Sequence, residues 1–298
     1  MDVTDSKDLD LTMEDTKIAT ISDDTVTAKK AGTTELTAEY FGVLFDTTTV
    51  KVTKTTGGGG GSYKPVEPVL NKEQHGRYIL GYPDSTMQPN RNITREEVAV
   101  IFYRLLTESA KQSYYSTDVS MLSDVAADSW SAVQIGTLVK LGIIVGYEDG
   151  TFRPHDPITR AEFAAIACRF DNLTNAPDSG FADVQGHWAK TYIDNAYAFG
   201  WIVGYEDGTF RPQNNITRAE AVTIINRVLG RDTDEAGVLD AKDIDTLAQL
   251  KQWTDLDESH WAFYQFLEAT YSHEYVRRDG GSKGIENWTN LNEALNMD

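Results

Sequence analysis

The chain has a single cysteine, Cys168, among its 298 residues, so an internal disulfide is excluded. It lacks any apolar stretch long enough to cross a bilayer, and nothing at Met1 resembles a signal peptide. Basic residues are few: 27 Lys and Arg stand against 46 Asp and Glu, for a net charge of -19. Such an acidic chain is not expected to bind nucleic acid or an anionic membrane through a general field. Any anionic ligand must therefore bind at local basic spots.

Signatures of catalysis and of metal binding are also missing. None of the 5 histidines has a metal-ligand spacing such as His-Glu-x-x-His. There is no Gly-x-Ser-x-Gly elbow, no phosphate-binding loop, and no Cys–His pair with the cysteine in a loop. Cys168 shares a predicted amphipathic helix with Phe163 and Ile166, which indicates a small core residue. We therefore expect a protein with no enzymatic activity, no cofactor and no metal site.

Composition changes sharply along the chain. Residues 1–56 are rich in Thr and Val, and the alternating stretches Glu35–Phe41 and Thr47–Val52 predict short antiparallel strands. Residues 57–68 are a Gly-rich linker stiffened at its far end by proline. The part that follows has helical periodicity. The sequence thus predicts a small all-β unit and a larger, mainly α unit.

The larger unit repeats itself. Its strongest block, Gly-Tyr-Glu-Asp-Gly-Thr-Phe-Arg-Pro at 146–154, recurs at 204–212 and in weaker form at 81–89. Each block is followed by an Ile-Thr-Arg-x-Glu motif. The spacing from the first Gly of the block to the Arg of the motif is the same in each copy: 81 to 95, 146 to 160 and 204 to 218. The Asp-Gly pairs of the two strong copies are tight-turn signals. Ser85 replaces that Gly in the first copy, which predicts a strained or different turn.

A second element also occurs three times, an Asp followed by a Trp that opens an amphipathic helix. The pairs are Asp124 with Trp130, Asp183 with Trp188, and Asp255 with Trp261. We expect the Trp side chains to pack in the core. The alternative is that a sugar ring stacks on them in a groove. The Asp residues are interpreted as helix-entry caps or arginine partners rather than ligand contacts. Because each end of the series holds half a unit, we expect the C-terminal helix, about 259–275, to pack against the segment around 70–106 and close a three-fold ring.

The Ile-Thr-Arg-x-Glu motif is a capping box that starts a helix. Its Thr and Glu pairs are Thr94 with Glu97, Thr159 with Glu162, and Thr217 with Glu220. The Arg falls at the first helical position, where a cation costs about 0.3–1 kcal/mol. Its recurrence indicates another role, the binding of an anion that meets both the free helix amides and the guanidinium. The alternative is an ion pair with a neighbouring acidic residue, and both can hold.

These blocks resemble the surface-layer-homology family. The resemblance rests on Leu70–Glu73 leading to Gly81–Asp84 and on the two nearly identical later copies, and it covers about residues 69–298. It implies a pseudo-threefold helical assembly, a three-pronged spindle, that binds secondary cell-wall polysaccharide non-covalently. Such polymers often carry pyruvate ketals, and the resemblance implies that the pyruvate carboxylate meets the motif arginine. The first copy departs from the pattern at Ser85, Met87 and Glu96, so its site is expected to be the weakest.

The boundaries that follow are 69–117 for the first repeat, completed by 246–275, then 118–172, 177–231, and a closing segment at 232–298. Residues 18–34 resemble the second half of a group 2 bacterial Ig-like domain, so 1–56 is expected to be a partial domain of that kind. The fold class is mainly α, with this small all-β fragment at the N-terminus. We expect the chain to be a piece of an exported bacterial protein.

The candidate ligand-binding residues are the arginines, aromatics and aspartates of the repeated frame: Arg95, Arg160, Arg218, Tyr147, Tyr205, Trp130, Trp188, Trp261, Asp124, Asp183 and Asp255. The expected partner is a cell-wall polysaccharide, which places the chain outside the cell at the wall or surface layer. Two alternatives stay open. The repeats could bind peptidoglycan, or they could assemble a surface layer without binding glycan, in which case the arginines should be buried in salt bridges.

Overall fold

A computed structural model describes residues 9–22, 25–30, 32–40, 43–52, 70–171, 173–250, 252–278, 280 and 284–295. Contacts within the chain divide it into two units, residues 1–64 and 65–298. Among the described residues, no helix has both the length and the apolar character needed to cross a membrane. The predicted linker lies outside the described residues, as does Phe41.

The first unit is built of antiparallel strands. Strands β1 (Leu9–Met13), β4 (Gly32–Tyr40) and β5 (Val43–Val52) form a sheet in the order β1-β4-β5. Strands β2 (Ala19–Ser22) and β3 (Thr25–Ala28) form a separate hairpin. The described part of the first predicted stretch, residues 35–40, lies in β4, and the second stretch lies in β5, which starts earlier than expected. The relation to Ig-like domains stays a prediction.

The second unit is mainly helical. Its helices are α1 (Arg95–Arg104), α2 (Glu108–Tyr114), α3 (Ala132–Lys140), α4 (Arg160–Cys168), α5 (Lys190–Ala198), α6 (Arg218–Leu229), α7 (Glu235–Val238) and α8 (Phe263–Thr270). Single 3-10 turns lie at Leu247–Gln249 and Glu293–Leu295. Strands β6 (His273–Arg277) and β7 (Glu286–Leu291) form an antiparallel hairpin near the C-terminus.

The helices pack in pairs that follow the repeats. Helix α1 packs against α3, α4 against α5, and α6 against α8, so each motif helix contacts the Trp-led helix that follows it in sequence. The C-terminal helix α8 also contacts the first repeat, because the amides of Tyr78 and Ile79 donate to the carbonyl of Ala269 at 3.0 and 3.3 Å. Cys168 is fully buried, as predicted.

Three isoleucines join the repeats in a closed cycle of backbone hydrogen bonds. The amide of Ile93 donates to Ile216, that of Ile216 to Ile158, and that of Ile158 to Ile93, at 3.1, 3.0 and 3.1 Å. All three side chains are fully buried. Each isoleucine directly precedes the capping threonine of its motif, so the cycle arranges the three helix starts around one point. Buried amides and carbonyls need partners, and here each repeat satisfies its neighbour.

Candidate functional site

All three capping boxes are formed in the structure. The hydroxyls of Thr94, Thr159 and Thr217 accept the amides of Glu97, Glu162 and Glu220 at 3.3, 3.3 and 3.2 Å. In return the glutamate carboxylates accept the threonine amides at 2.9, 3.0 and 2.9 Å. The threonines have extended backbone dihedral angles, as an N-cap requires.

The remaining amides at these helix starts are not free, which corrects the expectation that an anion would meet them. The amide of Arg160 donates to Asn214 at 2.8 Å and that of Ala161 to Pro212 at 3.1 Å. The equivalent amides at 95 and 96 and at 218 and 219 also donate to carbonyls of another repeat. The loop of the adjoining repeat therefore fills the place where a helix-terminus anion site would lie.

The motif arginines are buried and form ion pairs between repeats. Arg95, Arg160 and Arg218 are 5%, 7% and 3% exposed. Each pairs with the capping glutamate of another repeat: Arg95 with Glu162 at 3.2 Å, Arg160 with Glu220 at 3.1 Å, and Arg218 with Glu97 at 3.4 Å. Each Nε also donates to a carbonyl of the adjoining loop, at Phe152, Phe210 and Met87. The alternative of an acidic partner is thus realised at all three positions.

The block tyrosines lie between two guanidinium groups. The Cζ atom of Arg160 lies 5.0 Å from the centroid of the Tyr205 ring, and the Cζ atom of Arg211 lies 3.8 Å from it. Tyr147 lies likewise between Arg95 and Arg153, at 4.6 and 4.0 Å. Its hydroxyl donates to Glu162 at 2.7 Å. Burial and this hydrogen bond raise the pKa of Tyr147 to about 12, so it remains a neutral donor at physiological pH.

Tyr82 occupies the same position in the first repeat, although sequence reasoning did not select it. Its ring faces Arg218 at 4.9 Å and Arg91 at 5.5 Å. Arg91 also forms an ion pair with Glu97 and so supplies the cation that Gln88 does not. The signal that could have found Tyr82 is its place in the Gly-Tyr dipeptide of the weaker block.

The three aspartates hold the block loops, which corrects their interpretation as helix caps or arginine partners. The carboxylate of Asp183 accepts the amides of Phe210 and Arg211 at 2.8 and 2.7 Å. Asp124 accepts those of residues 152 and 153, both at 2.7 Å, and Asp255 those of residues 87 and 88 at 2.7 and 2.8 Å. Since both oxygens of each carboxylate bond to backbone, none of the three aspartates is placed as a ligand contact.

These carboxylates hold an unusual backbone conformation. Arg153, Arg211 and Gln88 have φ of 57°, 57° and 53°, in the left-handed region that non-glycine residues rarely adopt. Such strain persists only where the surroundings impose it. The paired hydrogen bonds from each Asp do this, so the Asp…Trp element and the Gly-Tyr block form one structural unit.

The three repeat tryptophans are exposed, so the expectation that they pack in the core is wrong. Trp130, Trp188 and Trp261 are 61%, 53% and 62% exposed. The next residue in each copy, Ser131, Ala189 or Ala262, takes the buried position instead. The tryptophans precede the first full helical turn and point away from the core that the helices form. The alternative of an aromatic face in a groove therefore fits the geometry.

One groove brings several of these features together. Its volume is about 210 Å³, and its lining includes Arg160, Tyr205, Glu220, Arg227 and Trp261. The second repeat supplies Arg160, the third supplies Tyr205 and Glu220, and the C-terminal element supplies Trp261. By the repeated frame, Trp188 and Trp130 are the counterparts of Trp261 for the sites of Arg95 and Arg218.

Arg227 belongs to a second series of arginines that sequence reasoning missed. Arg104, Arg169 and Arg227 donate from Nη1 to the carbonyls of Tyr78, Ile143 and Trp201 at 3.3, 2.9 and 3.4 Å. Each follows its motif arginine by nine residues (95 to 104, 160 to 169, 218 to 227). That constant spacing, two and a half helical turns, was the available signal.

Each arginine site is built from residues of two repeats, so the divergent residues of the first repeat fall in two different sites. The divergent loop of the first repeat, with Ser85 and Met87, faces Arg218 rather than Arg95. Glu96 lies beside Arg95, where its carboxylate contacts Ser131 at 3.0 Å and His155 at 2.7 Å. The groove at Arg160 combines the two closely matching copies, so it is the site that best keeps the repeated pattern.

Comparison with known proteins agrees with this architecture. Residues 73–99, 122–164 and 180–222 match the S-layer homology domain. The chain is 39% identical over 225 residues to cell surface glycoprotein 1 of Acetivibrio thermocellus, which covers 72% of this chain and 9% of that protein. It is 34% identical over 216 residues to the cellulosome-anchoring protein of the same organism, covering 70% of this chain and 45% of that protein.

Two further relatives differ in kind. The S-layer protein of Bacillus licheniformis is 31% identical over 155 residues, covering 49% of this chain and 17% of that protein. An amylopullulanase of Thermoanaerobacterium thermosulfurigenes is 37% identical over 163 residues, but only 8% of that enzyme is covered. The chain spans less than half the length of each of these relatives. The three matched segments belong to the S-layer homology family, which confirms that resemblance.

Proposed function

We propose that this chain anchors a surface protein to a bacterial cell wall, without catalysis, by binding a wall polysaccharide in the grooves between its repeats. The observation that carries the proposal is the groove in which buried Arg160 lies beside Tyr205 and exposed Trp261. Relatives whose names denote cellulosome anchoring and S-layers support the anchoring role. The small covered share of the enzyme-named relative supports the absence of catalysis.

The groove offers the two kinds of contact that an acidic sugar needs. An exposed indole provides a flat apolar face on which a sugar ring can stack. Arg160 has five N–H donors, and three of them bond to Phe210, Glu220 and Val203. Two donors are therefore left for a ligand carboxylate. A guanidinium matches a carboxylate in geometry and charge.

Local charge in the groove is positive despite the acidic chain. Arg160 and Arg227 line it together with one carboxylate, that of Glu220, for a local charge of +1. A pyruvylated amino sugar combines a carboxylate with a ring, and it is the ligand that we propose. The buried ion pair holds the arginine in place before binding, which lowers the cost of ordering it.

The proposal includes the pseudo-threefold spindle, with the first repeat completed by the C-terminal segment 246–275. The isoleucine hydrogen-bond cycle supports this arrangement. The bonds from Met87 and Gln88 to Asp255 support the completion of the first repeat. Each groove then takes its parts from two repeats and one Trp element, so binding depends on the assembled unit.

Co-sedimentation of the full chain with purified wall sacculi, before and after mild acid removes the secondary polymer, tests the proposal. We expect binding to native sacculi that is lost on stripping. Unchanged binding after stripping would assign the chain to peptidoglycan instead. Arg160→Lys, which keeps the charge but loses the fork, should weaken binding, whereas Arg278→Ala, on an exposed ion pair with Asp234, is the charge control.

Self-assembly without glycan binding is the second candidate, because it predicted that the motif arginines are buried in salt bridges, as they are. Sedimentation velocity of the full chain distinguishes the two. Concentration-dependent oligomers, together with no binding to either sacculus preparation, would favour assembly. A monomer that binds native sacculi would favour the anchor.

A further inference from the structure

Four ionisable side chains from distant parts of the sequence converge in the core of the helical unit. His75 precedes the first repeat block, Glu268 lies on α8, His273 on β6 and Glu286 on β7. All four are buried, at 1%, 0%, 0% and 0% exposed. One nitrogen or carboxylate oxygen from each lies within 4.8 Å of the other three. None belongs to the grooves described above.

The spacing of these atoms matches the ligand shell of a small cation. His75 Nδ1 lies 3.3 Å from Glu268 Oε1, 3.0 Å from Glu286 Oε2 and 3.2 Å from His273 Nε2. His273 Nε2 lies 3.1 Å from Glu268 Oε1. Ligands at about 2.0 Å from a tetrahedral metal ion are about 3.3 Å apart. Four of the six separations therefore agree with a regular four-coordinate site.

Two of the converging atoms, Glu268 Oε1 and Glu286 Oε2, lack hydrogen-bond partners that would explain their burial, whereas His75 Nδ1 and His273 Nε2 lie within hydrogen-bond distance of each other. His273 Nδ1 lies 3.0 Å from the carbonyl of Tyr271, which can only accept, so this nitrogen carries the hydrogen. In the neutral ring the lone pair on Nε2 then points into the cluster. Among the described residues, no group donates a hydrogen bond of ordinary geometry to Glu268 Oε1 or Glu286 Oε2. Buried polar atoms of this kind are costly unless something else satisfies them.

Nearby groups bind the outer oxygens of the two glutamates, whereas the outer nitrogen of His75, Nε2, has no hydrogen-bond partner among the described residues. Trp288 Nε1 donates to the second oxygen of Glu268 at 3.1 Å. Arg277 pairs with the second oxygen of Glu286 at 2.7 Å, and the guanidinium of Arg231 donates to the carbonyls of residues 74 and 76. Outer partners of this sort orient metal ligands and fix their tautomers. They leave the inner oxygens directed at one another and at the two imidazoles.

We propose that His75, Glu268, His273 and Glu286 bind one zinc ion in a closed, structural site. Two imidazoles and two carboxylates suit four-coordinate zinc, whereas calcium and magnesium prefer six or more oxygen ligands. Because all four ligands are buried, the site has no open position for a substrate. The ion would link the start of the first repeat to α8 and to the β6–β7 hairpin, and would thus fix the end of the chain that presents Trp261.

The full chain, produced without a histidine tag, tests this directly. We expect about one zinc per chain by elemental mass spectrometry. After unfolding and refolding with a chelator, zinc at a hundredfold excess over Kd should raise the Tm by about 5 °C or more. Refolding with cobalt should give the visible absorption typical of four-coordinate cobalt. These measurements use the unaltered chain, so they do not depend on whether a variant folds.

Variants then assign the ligands. Glu286→Gln and His273→Ala should lose the zinc and the cobalt spectrum. Glu274→Gln, on the same strand β6 but exposed, should keep both. The proposal is wrong if no metal co-purifies and neither zinc nor cobalt changes the Tm or gives a four-coordinate spectrum. In that case the four side chains contact one another without a metal ion. A six-coordinate cobalt spectrum that survives both variants would also overturn it, as surface binding.

Discussion

The guanidinium of Arg160 donates from Nη1 to the capping carboxylate of Glu220 at 3.1 Å, so one repeat completes the helix start of the next. Arg160 is buried and also donates to the carbonyl of Phe210 at 2.9 Å. Because Arg160→Ala leaves that carbonyl and the carboxylate short of a donor, we expect it to lower the free energy of unfolding by about 1–3 kcal/mol. Urea titration measures the loss.

A double-mutant cycle on the free energy of unfolding isolates the interaction between Arg160 and Glu220. Arg160→Ala with Glu220→Gln should show a coupling energy of about 1 kcal/mol or more, because the pair is mostly shielded from water. Arg211 and Asp207 form a matched control pair at 3.0 Å that is 43% and 53% exposed, and its coupling energy should be smaller because water screens an exposed ion pair. Equal coupling in the two cycles would contradict a special role for the buried pair.

Short sequence patterns correctly predicted the structural features that depend on residues close together in the chain. The capping boxes, the tight turns and the helix starts each depend on residues within a few positions of one another, and the repeat fixed their number. The sequence could not show that Arg160 pairs with Glu220 rather than with a nearer acid, since 60 residues separate them. The tryptophans were placed wrongly because an amphipathic pattern does not say where the first helical turn begins. His75 and His273, 198 residues apart, left no spacing to recognise.

The turn of the first repeat carries strain that the other two avoid. Ser85 has φ of 64°, close to the 73° and 75° of Gly150 and Gly208 at the same position. A side chain in the left-handed region costs about 1 kcal/mol, so Ser85→Gly should raise the free energy of unfolding by roughly 0.5–1 kcal/mol. Gly150→Ser is the matched reverse change and should lower it by a similar amount. No difference between the two variants in urea titration would show that this turn is not strained.

The block loops of the second and third repeats should keep their folded conformation in moderately acidic solution. Hydrogen bonds from Thr151 and Arg153 lower the pKa of Asp149 from 3.8 to about 2, and those from Thr209 and Arg211 do the same for Asp207. A folded pKa below the unfolded one stabilises the loop above about pH 4. That contribution is lost as pH falls toward about 2.

Carbon-13 NMR of the carboxyl groups measures these midpoints directly. We expect Asp149 and Asp207 to titrate at about pH 2. Arg153→Ala should move the midpoint of Asp149 toward its ordinary value, with Asp207 unchanged as an internal control. A wild-type midpoint near 3.8, the ordinary value, would mean that these hydrogen bonds are not kept in solution.

Trp261 provides the sharpest separation of binding from folding, because it is 62% exposed and yet lines the Arg160 groove. Trp261→Ala should weaken sacculus binding by about 1–2 kcal/mol, as loss of an aromatic anchor does, with little change in Tm. Tyr115→Ala removes another exposed aromatic, 55% exposed, and serves as the control. Because this groove combines the two closely matching repeats, Trp188→Ala and Trp130→Ala should each cost less. Equal losses for all three tryptophans would instead mean that the divergent residues around Arg95 and Arg218 do not weaken their grooves.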